Sequence, residues 1–402
     1  MEQQRNILLI VLLCVTLFLF WNWNSDKVNA AKLAEQEALA AQMVDSTANS
    51  ESSLGKIVTL KSDNLLLSIN LNGGDIIDAK LLKVMKEQGK DEPFHLLMTN
   101  NLFIYQAQSG AVGKDGPDSK VRPVYTATAT NYELQDGEDS VSASLVYEEN
   151  GVTYTKTYTL DRNSYVVKLN YKVDNHSDKP VQMSFYSQLK QTEDISSLQK
   201  DDSSFAMVAS AYRGTAYSSD DSRYEKITLE NIIDENINTK TGWVAMIQHY
   251  FVSAWIGDEN AKGNIIYSQA ANNDTAAIIG IRTDNTSIDA GTSYDFNSKL
   301  WIGPKDQEAM AAIADNLDLT VDYGWLWFIS IPLFKILSFF HSLIGNWGFS
   351  IILLTLVVRG VMFPLTKAQY TSMAKMRLLQ PKMIELRERY KDDRAKLGQE
   401  TM

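Results

Sequence analysis

The chain has little of what most catalytic and metal chemistry needs. One cysteine, Cys14, stands among 402 residues, which excludes an intrachain disulfide framework and a thiolate metal site. The four histidines, His95, His176, His249 and His341, are widely separated and none has a metal-ligand spacing. Glycine-rich phosphate loops, nucleophile elbows and metal motifs are missing from the sequence, so no nucleotide, metal or other cofactor is expected. Positive charge is also scarce over most of the length. Positions 25–349 carry 43 Asp/Glu against 27 Lys/Arg, which argues against nucleic acid as a partner, whereas positions 367–402 carry nine Lys/Arg against five Asp/Glu. Opposite signs in two parts of one chain suggest opposite sides of a membrane.

Long apolar runs are few, and they sit at the ends. Ile7 to Trp21, "ILLIVLLCVTLFLFW", is 15 residues, short of the about 20 needed to span, although Asn22 and Trp23 extend it into the interface. Two readings stand: a signal peptide cleaved near "VNA" (Val28 to Ala30), or an uncleaved anchor over 1–23 with Arg5 inside. Either places the following residues outside the cytoplasm. Residues 24–54 are rich in Ala, Gln and Ser, bury no core and read as a tether.

From 55 to 320 the period is two. "TYTKTYTL" (Thr153 to Leu160) alternates, "DRN" interrupts, and "YVVKLNYKV" puts Tyr165, Val167, Leu169, Tyr171 and Val173 on one face, a hairpin of half-buried strands. Asn72-Gly73-Gly74 is turn chemistry between two further strands. "NIIYSQ", "AAIIGIRT" and "TSYDFNSKLWIG" repeat the pattern, and many short strands predict one large antiparallel β-sandwich.

At Asp322 the chain becomes apolar. In the segment 322–345, Ser330, Lys335, Ser338, His341 and Ser342 fall within an arc of about 140° on a helical wheel. That clustering predicts an amphipathic helix lying in the interface, with a second span as the alternative. Residues 347–366 read as a transmembrane helix whose one charge is Arg359. With the interfacial reading the basic tail from Lys367 is cytoplasmic, as the positive-inside rule requires; a second span would put it outside. Gly348 to Arg359 is about 16 Å of helix, which sets Arg359 near the middle of the bilayer, where a charge usually marks function. The plain alternative is snorkelling toward the headgroups at Lys367, about 12 Å away. Beyond it, Met376, Leu379, Met383, Leu386 and Tyr390 form an a/d seam that predicts half of a helical hairpin over 367–402, with a kink or restart at Pro381. The pattern reaches Met402 without a terminating signal, so a longer natural chain is expected.

Several stretches carry a family resemblance: "MEQQRNILLIVLL", "FIYQAQSG" followed by "GKDGPD", "GWVAMIQHYFVSAWI", and above all "LDLTVDYGWLWFISIPLFKILSFFHSLIGNWGFSIILLTLVVRGVMFPLTKAQYTSMAKMR". The chain resembles, end to end, the Gram-negative form of the YidC/Oxa/Alb family of inner-membrane protein insertases. That resemblance implies an α+β membrane protein: a kept N-terminal anchor, a large periplasmic β-super-sandwich of the galactose-mutarotase kind, an interfacial helix carrying Trp325, Trp327, Lys335 and His341, a second transmembrane helix, and a cytoplasmic helix. It implies that Arg359 faces a hydrophilic groove that further helices complete and that receives nascent membrane proteins, alone or beside the Sec translocon and its accessory subunits. The basic face of Lys367, Lys375, Arg377, Lys382, Arg387 and Arg389 would meet anionic lipid, with the ribosome as a second partner. No bond is made or broken in that activity, so an enzyme is not expected. Two competing readings concern the sandwich: a carbohydrate binder or epimerase, for which His95 and His249 lie in apolar contexts without a partnered acid and base, and a tethered docking module.

Overall fold

A computed structural model describes residues 55–389, apart from 88, 101–102, 193–213, 228–235 and 272–275. The N-terminal apolar run, the tether and residues 390–402 therefore lie outside the described residues. The chain divides into two compact units, Met1–Val321 and Asp322–Met402.

Alternation builds the first unit. In the strand Val152–Asp161 every second residue is buried, from Val152 through Tyr154, Lys156 and Tyr158 to Leu160. It pairs antiparallel with Val166–Asn175, Tyr171 opposite Lys156. The turn between Leu65–Asn70 and Asp75–Met85 uses Gly73 and Gly74 at φ of 85° and 67°, a conformation that L side chains resist. A Cβ on Gly73 would also lie 2.5 Å from Nε of Arg122, so the position admits no side chain.

The described strands form an eleven-stranded and a nine-stranded sheet. Their facing sides share one core: Leu67, Ile69, Tyr105 and Leu189 come from the first sheet, and Tyr154, Leu169, Trp255 and Leu300 from the second. This is the sandwich the alternation predicts. One pairing departs from it, since Ile57–Lys61 runs parallel to Asn131–Glu133.

The nine-stranded sheet is buried on both faces at Trp243–Ile247. Val244 and Met246 enter the core between the sheets, while Trp243, Ala245 and Ile247 join a second cluster with Trp301, Met310 and Leu317. Met310 belongs to helix α1, Gln307–Ala311, which starts at Asp306, whose carboxylate accepts a hydrogen bond from the Ala309 amide. A five-residue helix has too few turns to show a periodicity, so sequence pattern does not reveal this cover.

The second unit contains helices α2, Trp327–Ile344, and α3, Trp347–Arg389. Gly345, at φ 69°, ends α2 with its amide donating to His341 O at 2.7 Å, a left-handed C-cap. Asn346 Oδ1 then accepts from the amides of Gly348 and Phe349 at 2.8 and 3.3 Å and starts α3. Helix α3 is continuous past both Pro364 and Pro381. Of the two outcomes expected at Pro381, a kink or a restart, the restart does not occur. The apolar residues 347–366 and the basic residues after them belong to one helix, and composition alone divides them.

Candidate functional site

Both helices of the second unit are apolar enough to meet lipid. Helix α2, at 18 residues, spans about 27 Å, slightly less than the hydrocarbon core of about 30 Å. Its length suits either a short span or an interfacial helix. Lys335 is exposed on it, Trp327 is its first residue and 59% exposed, and Trp325 lies in the preceding 3-10 turn, Gly324–Leu326. His341 is half-buried and stacks on Trp347, ring centroids 3.8 Å apart. That contact packs the last turn of α2 against the first residue of α3 across the elbow.

Arg359 is exposed, twelve residues into α3. Its guanidinium has no ion-pair or hydrogen-bond partner among the described residues. The neighbouring hydroxyls behave differently: Thr355 donates to Ile351 O and Thr366 to Met362 O, at 2.8 and 2.9 Å. Such back-bonding satisfies a hydroxyl inside its own helix and makes it tolerable in lipid. On the helix, Thr355, Thr366 and Arg359 fall within an arc of about 40°, while Ser350 lies on the opposite face and donates to Asn346 O. The span therefore has a polar stripe with Arg359 at its edge, a charge without a partner among the described residues. Lys367, Lys375 and Arg377 are exposed further along α3, and Lys382, Arg387 and Arg389 lie on its last turns.

The sandwich holds a second group of charges that motif reading does not find. Lys156 is fully buried, its Nζ donating to Gly73 O at 2.7 Å and Ser109 O at 2.6 Å, with the rings of Tyr125 and Tyr171 at 5.1 and 5.3 Å. Beside it Arg122 bridges Asp75 and Asp118 and reaches the Tyr186 hydroxyl. Two cations and two carboxylates thus cancel inside the fold. Burial pushes Lys156 down to about 8 and raises Asp118, while Asp75, Tyr186 and Asp118 outweigh burial and hold Arg122 above its ordinary value. One signal was available: in "TYTKTYTL" the lysine occupies the same parity as Tyr154 and Tyr158, the inward parity of the strand.

The lysine has a measurable consequence. Its folded value of about 8 lies below the ordinary 10.5, so from pH 8 to 10.5 the unfolded chain binds more protons than the folded one. Stability attributable to this group rises with pH across that window, and the cost of burying the charge is fully present below it. The unfolding free energy of residues 55–321, minus that of the Lys156→Met variant, is expected to increase between pH 8 and 10.5, by up to about 1.4 kcal/mol per unit. Urea titrations at stepped pH measure this; a flat difference contradicts it.

His95 is part-exposed, as a surface histidine, and its Nδ1 lies 2.7 Å from Asp78 Oδ1. His249 lies beside the exposed Tyr250 in the loop before the strand Phe251–Ile256, the two rings tilted at 58° with centroids 4.2 Å apart.

Comparison with known proteins joins the two units. Residues 57–336 match the family model described as the YidC periplasmic domain, and residues 339–402 match the 60Kd inner membrane protein model. The chain is 48% identical to the membrane protein insertase YidC of Aeromonas hydrophila and 46% identical to that of Tolumonas auensis, covering all of this chain and 75% of each relative. Among solved structures, a galactose mutarotase related enzyme from Lactobacillus acidophilus is 12% identical at TM-score 0.38, covering 61% of this chain and 97% of its own. A galactose mutarotase-like protein from Lactobacillus casei is 9% identical at TM-score 0.39, covering 61% and 99%. With family matches over both units and relatives aligned along its whole length, the chain belongs to the YidC family of membrane protein insertases.

Proposed function

We propose that this inner-membrane insertase works through the polar stripe of α3, with Arg359 facing a wet groove and receiving the polar or acidic leading end of a nascent membrane protein. One observation carries the reading: a guanidinium near mid-span, without a partner among the described residues, on the same face as two hydroxyls. A charge there is costly unless water or a counter-group reaches it. An inward-facing groove supplies the water, and a client carboxylate passing through supplies the counter-group. The barrier lowered is desolvation of the client's polar end; its apolar segment then partitions into lipid by the ordinary hydrophobic effect. Arginine serves as a permanent charge and a fork of donors, not as an acid or base.

In this reading α2 lies in the outer interface, the sandwich is periplasmic, and both the N-terminus and the basic end of α3 are cytoplasmic. The exposed Lys367, Lys375 and Arg377 meet anionic headgroups, worth about 1 kcal/mol each near the surface. The ribosome is a further partner for that face, and the acidic sandwich is the docking side for Sec accessory subunits. A photo-crosslinker at position 359 of the full-length natural protein is expected to capture a stalled single-span client. Adducts with lipid alone would reject the groove.

A further inference from the structure

The outer face of the eleven-stranded sheet contains a groove of about 380 Å³, lined by Tyr186, Gln188, Tyr267, Gln269 and Arg282, which the insertase reading leaves unused. Two glycines set the pose of its tyrosine rings. A Cβ on Gly110 would lie 2.8 Å from the Tyr186 ring, and one on Gly280 would lie 2.4 Å from the Tyr267 ring. Both rings therefore lie down across bare backbone. Tyr186, Gln188, Tyr267 and Arg282 are all only partly buried, and Gln269 is exposed.

Hydrogen bonds give the groove a direction. Tyr267 donates to Gln188 Oε1 at 2.7 Å, Gln188 to Gln108 Oε1 at 2.8 Å, and Gln108 to Asp75 Oδ2 at 3.0 Å. The one hydrogen of the Tyr267 hydroxyl is spent on Gln188, so its oxygen keeps acceptor capacity, and each glutamine amide keeps a second N–H. Arg282 lies opposite Tyr186 across the strands, and among the described residues it makes no ion pair or hydrogen bond. Arg122, Lys156, Asp75 and Asp118 cancel nearby, which leaves Arg282 as a surplus positive charge on this face among the described residues.

We infer that this groove binds a carboxylated sugar unit of the hexuronate class. Flat aromatic faces suit the C–H face of a pyranose, an oriented acceptor and amides suit hydroxyls, and one uncompensated guanidinium suits one carboxylate. A phosphate brings roughly twice that charge at neutral pH. The volume accommodates about one or two rings. The site is one of binding without turnover, because no general acid and base converge on it.

The test uses the full chain in lipid nanodiscs, titrated calorimetrically with galacturonate, galactose and an acidic dipeptide. Galacturonate is expected to bind saturably, and galactose roughly tenfold more weakly for lack of the charge-assisted bond. Arg282→Gln should remove that preference, and Gln269→Trp, a change at an exposed position, should block both sugars by filling the groove. No saturable galacturonate binding overturns the proposal, as does equal binding of the two sugars by the unaltered chain. Stronger binding of the dipeptide, lost in Gln269→Trp, would replace the sugar class with a peptide. Client capture at position 359 is independent of all these outcomes.

Discussion

Arg122→Ala is expected to destabilise the sandwich by about 3–5 kcal/mol, the range for removing one partner of a buried ionic cluster. The substitution leaves Asp118, whose side chain has no exposed surface, and the nearly buried Asp75 facing Lys156 alone. It also strips donors from the Tyr186 hydroxyl and from the carbonyls of Gly73 and Ser109. Against a typical net stability of 5–15 kcal/mol this is a large fraction. Arg122→Lys should recover only part, because an ammonium cannot reach two carboxylates and a hydroxyl with a planar fork. By contrast, exchanging all four charged groups for apolar residues of similar volume is expected to be near neutral, since the penalty arises from an unpaired charge rather than from lost attraction. Urea unfolding of residues 55–321, followed by the fluorescence of the buried Trp243, Trp255 and Trp301, decides it. A loss below about 1 kcal/mol for Arg122→Ala would place the cluster in effective contact with solvent.

The second large effect concerns the membrane. Arg359→Leu is expected to favour insertion of the segment 347–366 by about 2.5–3.5 kcal/mol, near a hundredfold in the ratio of inserted to translocated chains. In the intact insertase the same change should reduce insertion of clients with acidic leading ends more than of clients with neutral ones. The two measurements together separate the groove from snorkelling. If the side chain escapes to the headgroups, the arginine costs its own span little and Leu changes neither quantity. Glycosylation mapping of the segment in a host protein measures the first, and protease protection of two matched clients measures the second.

The His341–Trp347 stack and the Gly345–Asn346 elbow are local features, and they show how much short-range chemistry is legible. Glycine after the last helical turn and asparagine before the next helix are a stop and a start written in consecutive positions. The strands were equally legible, because a sheet with one buried face imposes period two: Val152–Asp161 follows the alternation throughout and Val166–Asn175 follows it from Val167 on. Pro381 does not restart the helix, because a proline removes one hydrogen bond and strains one turn without obliging a long helix to end.

Sequence by itself determined the charge asymmetry, the alternation, the lone arginine of the last apolar run and the family, all of them properties of neighbouring residues or of aligned stretches. Only tertiary structure decided which distant residues meet. Lys156 finds Gly73 and Ser109, 83 and 47 positions away, and Arg122 finds Asp75 across 47. Tyr267 joins Gln188 across 79, and Arg282 comes to lie opposite Tyr186 through strand register. Such meetings depend on strand order and crossovers between sheets, which no local period encodes. The inward lysine was visible as a violation of its strand's pattern; the carbonyls and carboxylates that make it tolerable were not.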